Sequence, residues 1–126
     1  MTNRKKIGIW MDHASAHVME LTDPIVTSIV TSESTHEEKE KTLQKGESMM
    51  HNKNQQQLAE YYKKLGGFVK DCDEVLLFGP TNAKTELFNL LKADKQFDKI
   101  KIETMPSEKM TENQEQAYVK QYFSQS

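Results

Sequence analysis

Residues 74–91, EVLLFGPTNAKTELFNLL, leave the chain few ways to fold. Val75, Leu76, Leu77 and Phe78 form an unbroken apolar run, too short for a helix of its own and suited to a central strand covered on both faces. Gly79 and Pro80 stop it: glycine permits the tight bend, and proline lacks the N–H a sheet needs. Ala83, Leu87, Leu90 and Leu91 then recur at helical spacing, the stripe a core-facing helix presents. This strand-turn-helix unit is a scaffold that can carry a site, but it does not name a reaction.

Upstream, Ile7, Ile9 and Met11 alternate with Gly8 and Trp10, the period of two of a pleated strand. Asp12, His13, Ala14 and Ser15 make a turn into a second strand over 16–21, with Val18 and Glu20 on one face and His17, Met19 and Leu21 on the other. Thr22-Asp23-Pro24 signals another turn, and the β-branched run IVTSIVT predicts a third strand over 25–31. Three strands joined by short turns make an antiparallel meander. Residues 32–54 are polar and charged and read as a mobile loop, longer than compact domains usually carry and a natural place for function.

Leu58, Tyr61, Tyr62 and Leu65 place a helix from residue 55, ending at Gly66-Gly67 or running through to Val69. Residues 97–105 read as a strand with Ile100 and Ile102 inward, Lys99, Lys101 and Glu103 outward, and Pro106 as its stop. The lysines suit a protected edge. Thr111 with Gln114 matches a capping box that opens a last helix, whose core contacts are Val119, Tyr122 and Phe123. The order β-β-β-α-β-α-β-α predicts an α/β fold: one domain over 1–126, a five-stranded mixed sheet with helices on its faces, of ribonuclease-H-like type.

Composition narrows the function classes. The chain carries 17 Lys and Arg against 19 Asp and Glu, a net charge of −2, which excludes a uniformly basic nucleic-acid binder. No apolar run approaches the ~18–20 residues of a membrane span, and the short N-terminal apolar stretch, broken by Asp12, is not a signal peptide. A cytoplasmic protein is expected. The single Cys72 allows neither an internal disulfide nor a cysteine zinc site, and its neighbours Asp71 and Asp73 raise its pKa rather than activate it.

The candidate chemistry is sparse. A metal-dependent nuclease would need converging carboxylates. Asp12 is well placed, but the end of the 75–78 strand offers Gly79-Pro80-Thr81-Asn82, and Asp73 and Glu74 lie at its far end. His13 and His17 are four apart but separated by a turn, and His36 and His51 lie at the two ends of the polar loop; three of the four could converge on a metal, but solvated loop histidines are the simpler reading. Only one glycine precedes Lys84-Thr85, so a phosphate loop is not formed. No metal or cofactor is expected. Thr81, Asn82 and Lys84, at the start of a helix, read first as a tight turn with a cap and second as an anion site. Lys39, Lys41, Lys45 and Lys53 could meet RNA phosphates, although Glu37, Glu38, Glu40 and Glu47 are interleaved with them.

IGIWMDHASAHVMEL, the polar loop, the helix, and the segment from Phe78-Gly79-Pro80 through Lys84 to Leu87 resemble the central domain of the eukaryotic and archaeal class I peptide release factors and of Pelota. Nearly the whole chain follows that order of elements, as do small standalone bacterial members of the superfamily. The Gly-Gly-Gln of the release factors is missing: the corresponding loop reads Thr42-Leu43-Gln44-Lys45-Gly46-Glu47-Ser48. The resemblance therefore implies a non-catalytic, translation-associated protein that binds the ribosome or structured RNA without releasing peptide. A metal-dependent nucleic-acid hydrolase and a homodimer through an edge strand are the alternatives.

Overall fold

In the computed structural model, which describes residues 5–22, 24–32 and 47–124, the alternation at the N-terminus becomes a strand buried on both faces. This strand, β1 (Lys6–Met11), sends Ile7, Ile9 and Met11 into one apolar cluster and Trp10 into another. A methyl group on Gly8 would come within 2.3 Å of Val119 Cγ2, so the bare backbone is what lets a helix settle on the strand. β2 (Ser15–Glu20) and β3 (Val26–Thr31) complete the antiparallel meander, with Ile9 opposite Val18 and Val18 opposite Ser28. There follow α1 (Glu47–Val69), β4 (Glu74–Gly79), α2 (Ala83–Lys92), a 3-10 turn (Lys95–Phe97), β5 (Lys101–Pro106) and α3 (Glu112–Ser124).

The sheet runs β3-β2-β1-β4-β5, with β4 parallel to β1 and β5 parallel to β4. It is the five-stranded mixed α/β sheet that the element order predicts. One face packs Ile7, Ile9, Val75 and Leu77 against Tyr61, Leu65 and Val69 of α1 and Leu87 and Leu91 of α2. The other packs Trp10, Met19, Leu76 and Phe78 against Val119 and Phe123 of α3. Two covered faces explain the continuous run in β4: Leu76, Leu77 and Phe78 are all wholly buried, each contributing about 1.5–3 kcal/mol relative to exposure.

Several boundaries differ from expectation. Helix α1 begins at Glu47, so residues 47–54 belong to a helix rather than to the polar loop; residues 33–46 lie outside the described residues. The helix takes the longer of its two expected ends, through Gly66-Gly67 to Val69; neither glycine has a positive φ, and a Cβ on Gly66 would meet Phe97 and Leu91 only at ordinary contact distance. Phe97 and Ile100 are buried but precede β5: they are three residues apart and close a 3-10 turn rather than alternate in a strand. Pro106 is the last residue of β5, on an edge where a missing N–H leaves no bond unmade. Leu90, expected in the core, is 53% exposed. The Thr111 capping box is present in both directions, with Gln114 N–H donating to Thr111 Oγ1 and Thr111 N–H to Gln114 Oε1.

Candidate functional site

The carboxyl ends of β1 and β4 lie side by side where the strand order diverges, toward β2 and β3 on one side and toward β5 on the other. Ligands of open α/β sheets favour such a crevice. Just beyond β1, Asp12 Oδ1 accepts from the N–H groups of Ala14 at 2.8 Å and Ser15 at 2.9 Å, which makes the carboxylate the pin of the β1–β2 turn. The Tyr61 hydroxyl reaches over from α1 to donate to the Asp12 carbonyl at 2.8 Å. His13 is thereby held at the rim, its Nε2 3.2 Å from Glu86 Oε1. The same oxygen accepts the Tyr62 hydroxyl at 2.5 Å. Glu86 stands in the first turn of α2, where the exposed N–H groups favour a carboxylate.

The electrostatics follow from this packing. The Tyr62 phenol holds the Glu86 carboxyl below the ordinary range, against partial burial and with help from His13. Burial, then Asp12 and the neighbouring Tyr62, push Tyr61 far above the usual tyrosine value, and burial and Glu86 do the same to Tyr62. Burial is also the main cause that pushes the Cys72 thiol up to about 11, with Lys5 opposing and Glu20, Asp71 and Asp73 adding. The rim thus offers hydrogen-bond donors and acceptors, with both phenols protonated at neutral pH, while the Cys72 thiol lies at the other end of β4.

The turn after β4 is knitted to itself. Thr81 Oγ1 accepts from Ala83 N–H at 3.2 Å, and the buried Lys84 amine donates to the Thr81 carbonyl at 2.6 Å. Asn82 is exposed at the N-cap of α2, its side chain making no cap bond. Lys39, Lys41 and Lys45 lie outside the described residues, and Lys53 sits in α1 with its side chain outside them. Among the described residues no three His, Cys, Asp or Glu side chains gather in a way that could hold a metal ion, and none of their helices is long and apolar enough to cross a membrane.

Tyr62 also borders a groove of about 510 Å³ between α1 and α2. Leu87, Leu90, Leu91 and Phe97 line it from α2 and the 3-10 turn; Ala59, Lys63, Gly66 and Gly67 line it from α1, and Lys70 from the turn just after that helix. The four α1 positions follow helical spacing and Lys70 N–H still bonds to the Gly66 carbonyl at 2.9 Å, so together they form one stripe with a small-residue middle and a lysine on either side. Lys63 and Lys70 are exposed and take part in no ion pair among the described residues. On the opposite face of the sheet, His17 Nδ1 lies 2.7 Å from Oε1 of the fully buried Glu115, and the His17 ring stacks on Trp10 at 5.2 Å.

The sequence reading does not single out Tyr62, Glu86, Lys63, Lys70 or Glu115 as site residues. Glu115 carries a usable signal, since it shares the stripe of Val119 and Phe123 at intervals of four. Glu86 carries a weaker one, its place in the first turn of α2.

No family model matches this sequence, and no curated protein matches it either. Among solved structures the fold is similar to Pelota from Archaeoglobus fulgidus, with a TM-score of 0.61 and 10% identity. The match covers 94% of this chain but only 32% of that one, so this chain spans about a third of Pelota's length. At such low identity the likeness is one of fold: the chain has a Pelota-like domain fold.

Proposed function

We propose that this chain is a translation-associated binding domain that contacts ribosomal or structured RNA in the cytoplasm without releasing peptide. The observation that carries this reading is the Pelota-like fold across 94% of the chain. The wider kinship with the class I release factors belongs to the same proposal, and the missing Gly-Gly-Gln separates this chain from their peptide-release chemistry. The α1–α2 groove supplies a contact surface of the right character. Unstacked bases favour apolar and aromatic walls, here Phe97, Leu87 and Leu91, and phosphates favour flanking lysines such as Lys63 and Lys70. Seven residues along a helix set those two lysines about 10 Å apart, a span that suits a short stretch of backbone. Lys39, Lys41, Lys45, Lys53 and the turn at Thr81, Asn82 and Lys84 are further contacts in this reading.

Co-sedimentation of the purified protein with ribosomes at low and moderate salt tests it. Association that weakens with salt is expected, together with a clear loss in the Lys63→Glu/Lys70→Glu double variant. Absence of association at both salt concentrations would overturn the reading.

A further inference from the structure

The two edges of the sheet are unlike. β5 carries Lys101 and Glu103 and ends in Pro106, the features by which proteins guard an edge against pairing. β3 has the sequence VTSIVT, uncharged and rich in β-branched residues, with Ile29 67% and Val26 52% exposed.

The ladder between β2 and β3 shows which groups β3 leaves open among the described residues. Ser32 N–H donates to the Ala14 carbonyl at 2.9 Å, one step beyond the Ser15–Thr31 pair. In an antiparallel ladder, hydrogen-bonded pairs alternate with non-bonded ones. Ala16–Val30, Val18–Ser28 and Glu20–Val26 are therefore the bonded pairs with β2. Thr27, Ile29 and Thr31 turn their N–H and C=O groups outward, to the edge. These three positions are symmetric about Ile29.

From this self-complementary edge we propose that two copies of the chain pair antiparallel through β3, with Ile29 on the two-fold axis, continuing the sheet to ten strands. Ile29 then faces Ile29 of the second copy with Cα atoms about 5.5 Å apart, and Thr27 faces Thr31 twice. The register closes six main-chain hydrogen bonds. On the other face it sets Val30 against Ser28, so no charge meets a like charge. The isologous contact uses one patch on both copies and leaves no further β3 edge to propagate. An interface of one short strand is small, so dimerisation in the micromolar range is expected. The proposal is independent of the RNA reading, since β3 lies at the far side of the sheet from β4 and β5.

Sedimentation equilibrium across the micromolar range tests it, with melting curves as a check that each variant is folded. A concentration-dependent dimer is expected for the natural chain, and Ile29→Lys should weaken it about tenfold or more. Ile29→Cys should form a disulfide-linked dimer under mild oxidation, because the facing Cα atoms fall within disulfide range, while Glu103→Cys on the other edge should not. A monomer throughout overturns the proposal, including one whose Thr27, Ile29 and Thr31 amides exchange slowly because another stretch of the chain covers them. So does a dimer that Ile29→Lys leaves intact.

Discussion

Glu115 and His17, 98 positions apart in sequence, meet with Oε1 2.7 Å from Nδ1 on the α3 face of the sheet. Glu115 is wholly buried while the His17 side chain keeps 26% of its exposure, so the imidazole stands between the carboxyl group and water. Removing it strands a polar group in an apolar layer made of Trp10, Met19, Val119 and Phe123. His17→Ala should cost about 2 kcal/mol, less than the ~3–5 of breaking a fully buried pair, and Glu115→Gln should cost less than His17→Ala. Urea unfolding of the two variants measures both. Trp10 fluorescence should also change in His17→Ala, because the stacked ring is lost.

The Tyr62–Glu86 bond makes stability depend on pH in a defined window. Glu86 has a folded-state pKa below its ordinary 4.5, so it contributes stability above that pH and loses it as pH falls through the folded value. Tyr62 is raised above its ordinary 10.0, so its contribution is complete below pH 10 and is lost as pH rises past it. Tyr62→Phe should lower stability near neutrality by about 1 kcal/mol, flatten the acid flank, and move the Glu86 titration back toward 4.5. Tyr61 keeps part of the alkaline flank. Carboxyl NMR titration of the variant checks this, and an unmoved Glu86 midpoint would count against the bond.

Two glycines should respond to alanine in opposite directions. Gly79 has φ +154°, and a Cβ there would lie 2.1 Å from the Met11 carbonyl oxygen, in the main chain that cannot yield. Gly79→Ala should destabilise by at least about 3 kcal/mol. Gly67 sits in helix α1, and a Cβ there would meet nothing within 4 Å among the described residues, so Gly67→Ala should stabilise by about 0.5–1 kcal/mol. Thermal melts of both separate the outcomes. If Gly67→Ala stabilises the protein yet weakens ribosome co-sedimentation, the glycine is kept for close approach of a partner along the groove.

Cys72 should be silent to alkylation in the folded protein. Its thiol is buried, donates to the Phe68 carbonyl at 3.2 Å, and is pushed up to about 11. At pH 8 iodoacetamide should modify it only as fast as the protein opens, and denaturant should restore full reactivity. Rapid labelling under native conditions would show that the α1–β4 connection is far looser than its packing suggests.

The sheet was legible where one residue type had one use. Alternation in β1, β-branching in β3 and the Gly79-Pro80 stop each point to a single backbone state, and their order determines the topology. The amino-terminal part of α1 was not legible, because residues 47–54 present only Met49 and Met50 as strongly apolar side chains and so lack the stripe that marks a helix. Phe97 and Ile100 misled for a related reason: buried residues three apart fit a short turn as well as the approach to a strand. The rim of the site was half visible. Asp12 was marked by its turn, but Tyr62, His13 and Glu86 converge only once β1, α1 and α2 are assembled, and no spacing along the chain encodes that meeting.

The pairing of β1 with β4 also has a history in time. The Lys5 N–H bonds to the Asp73 carboxylate, 68 residues later, and the parallel ladder runs on from there. At ~5–20 residues per second of synthesis, the apolar strand Lys6–Met11 is made several seconds before its central neighbour exists. During that interval the hairpin leaves the β4-facing edge of β1 unpaired, with Ile7 and Ile9 on one face and Trp10 on the other. A chain stopped before Glu74 lacks the central strand that pairs with β1, so its apolar side chains have no completed sheet to close over them.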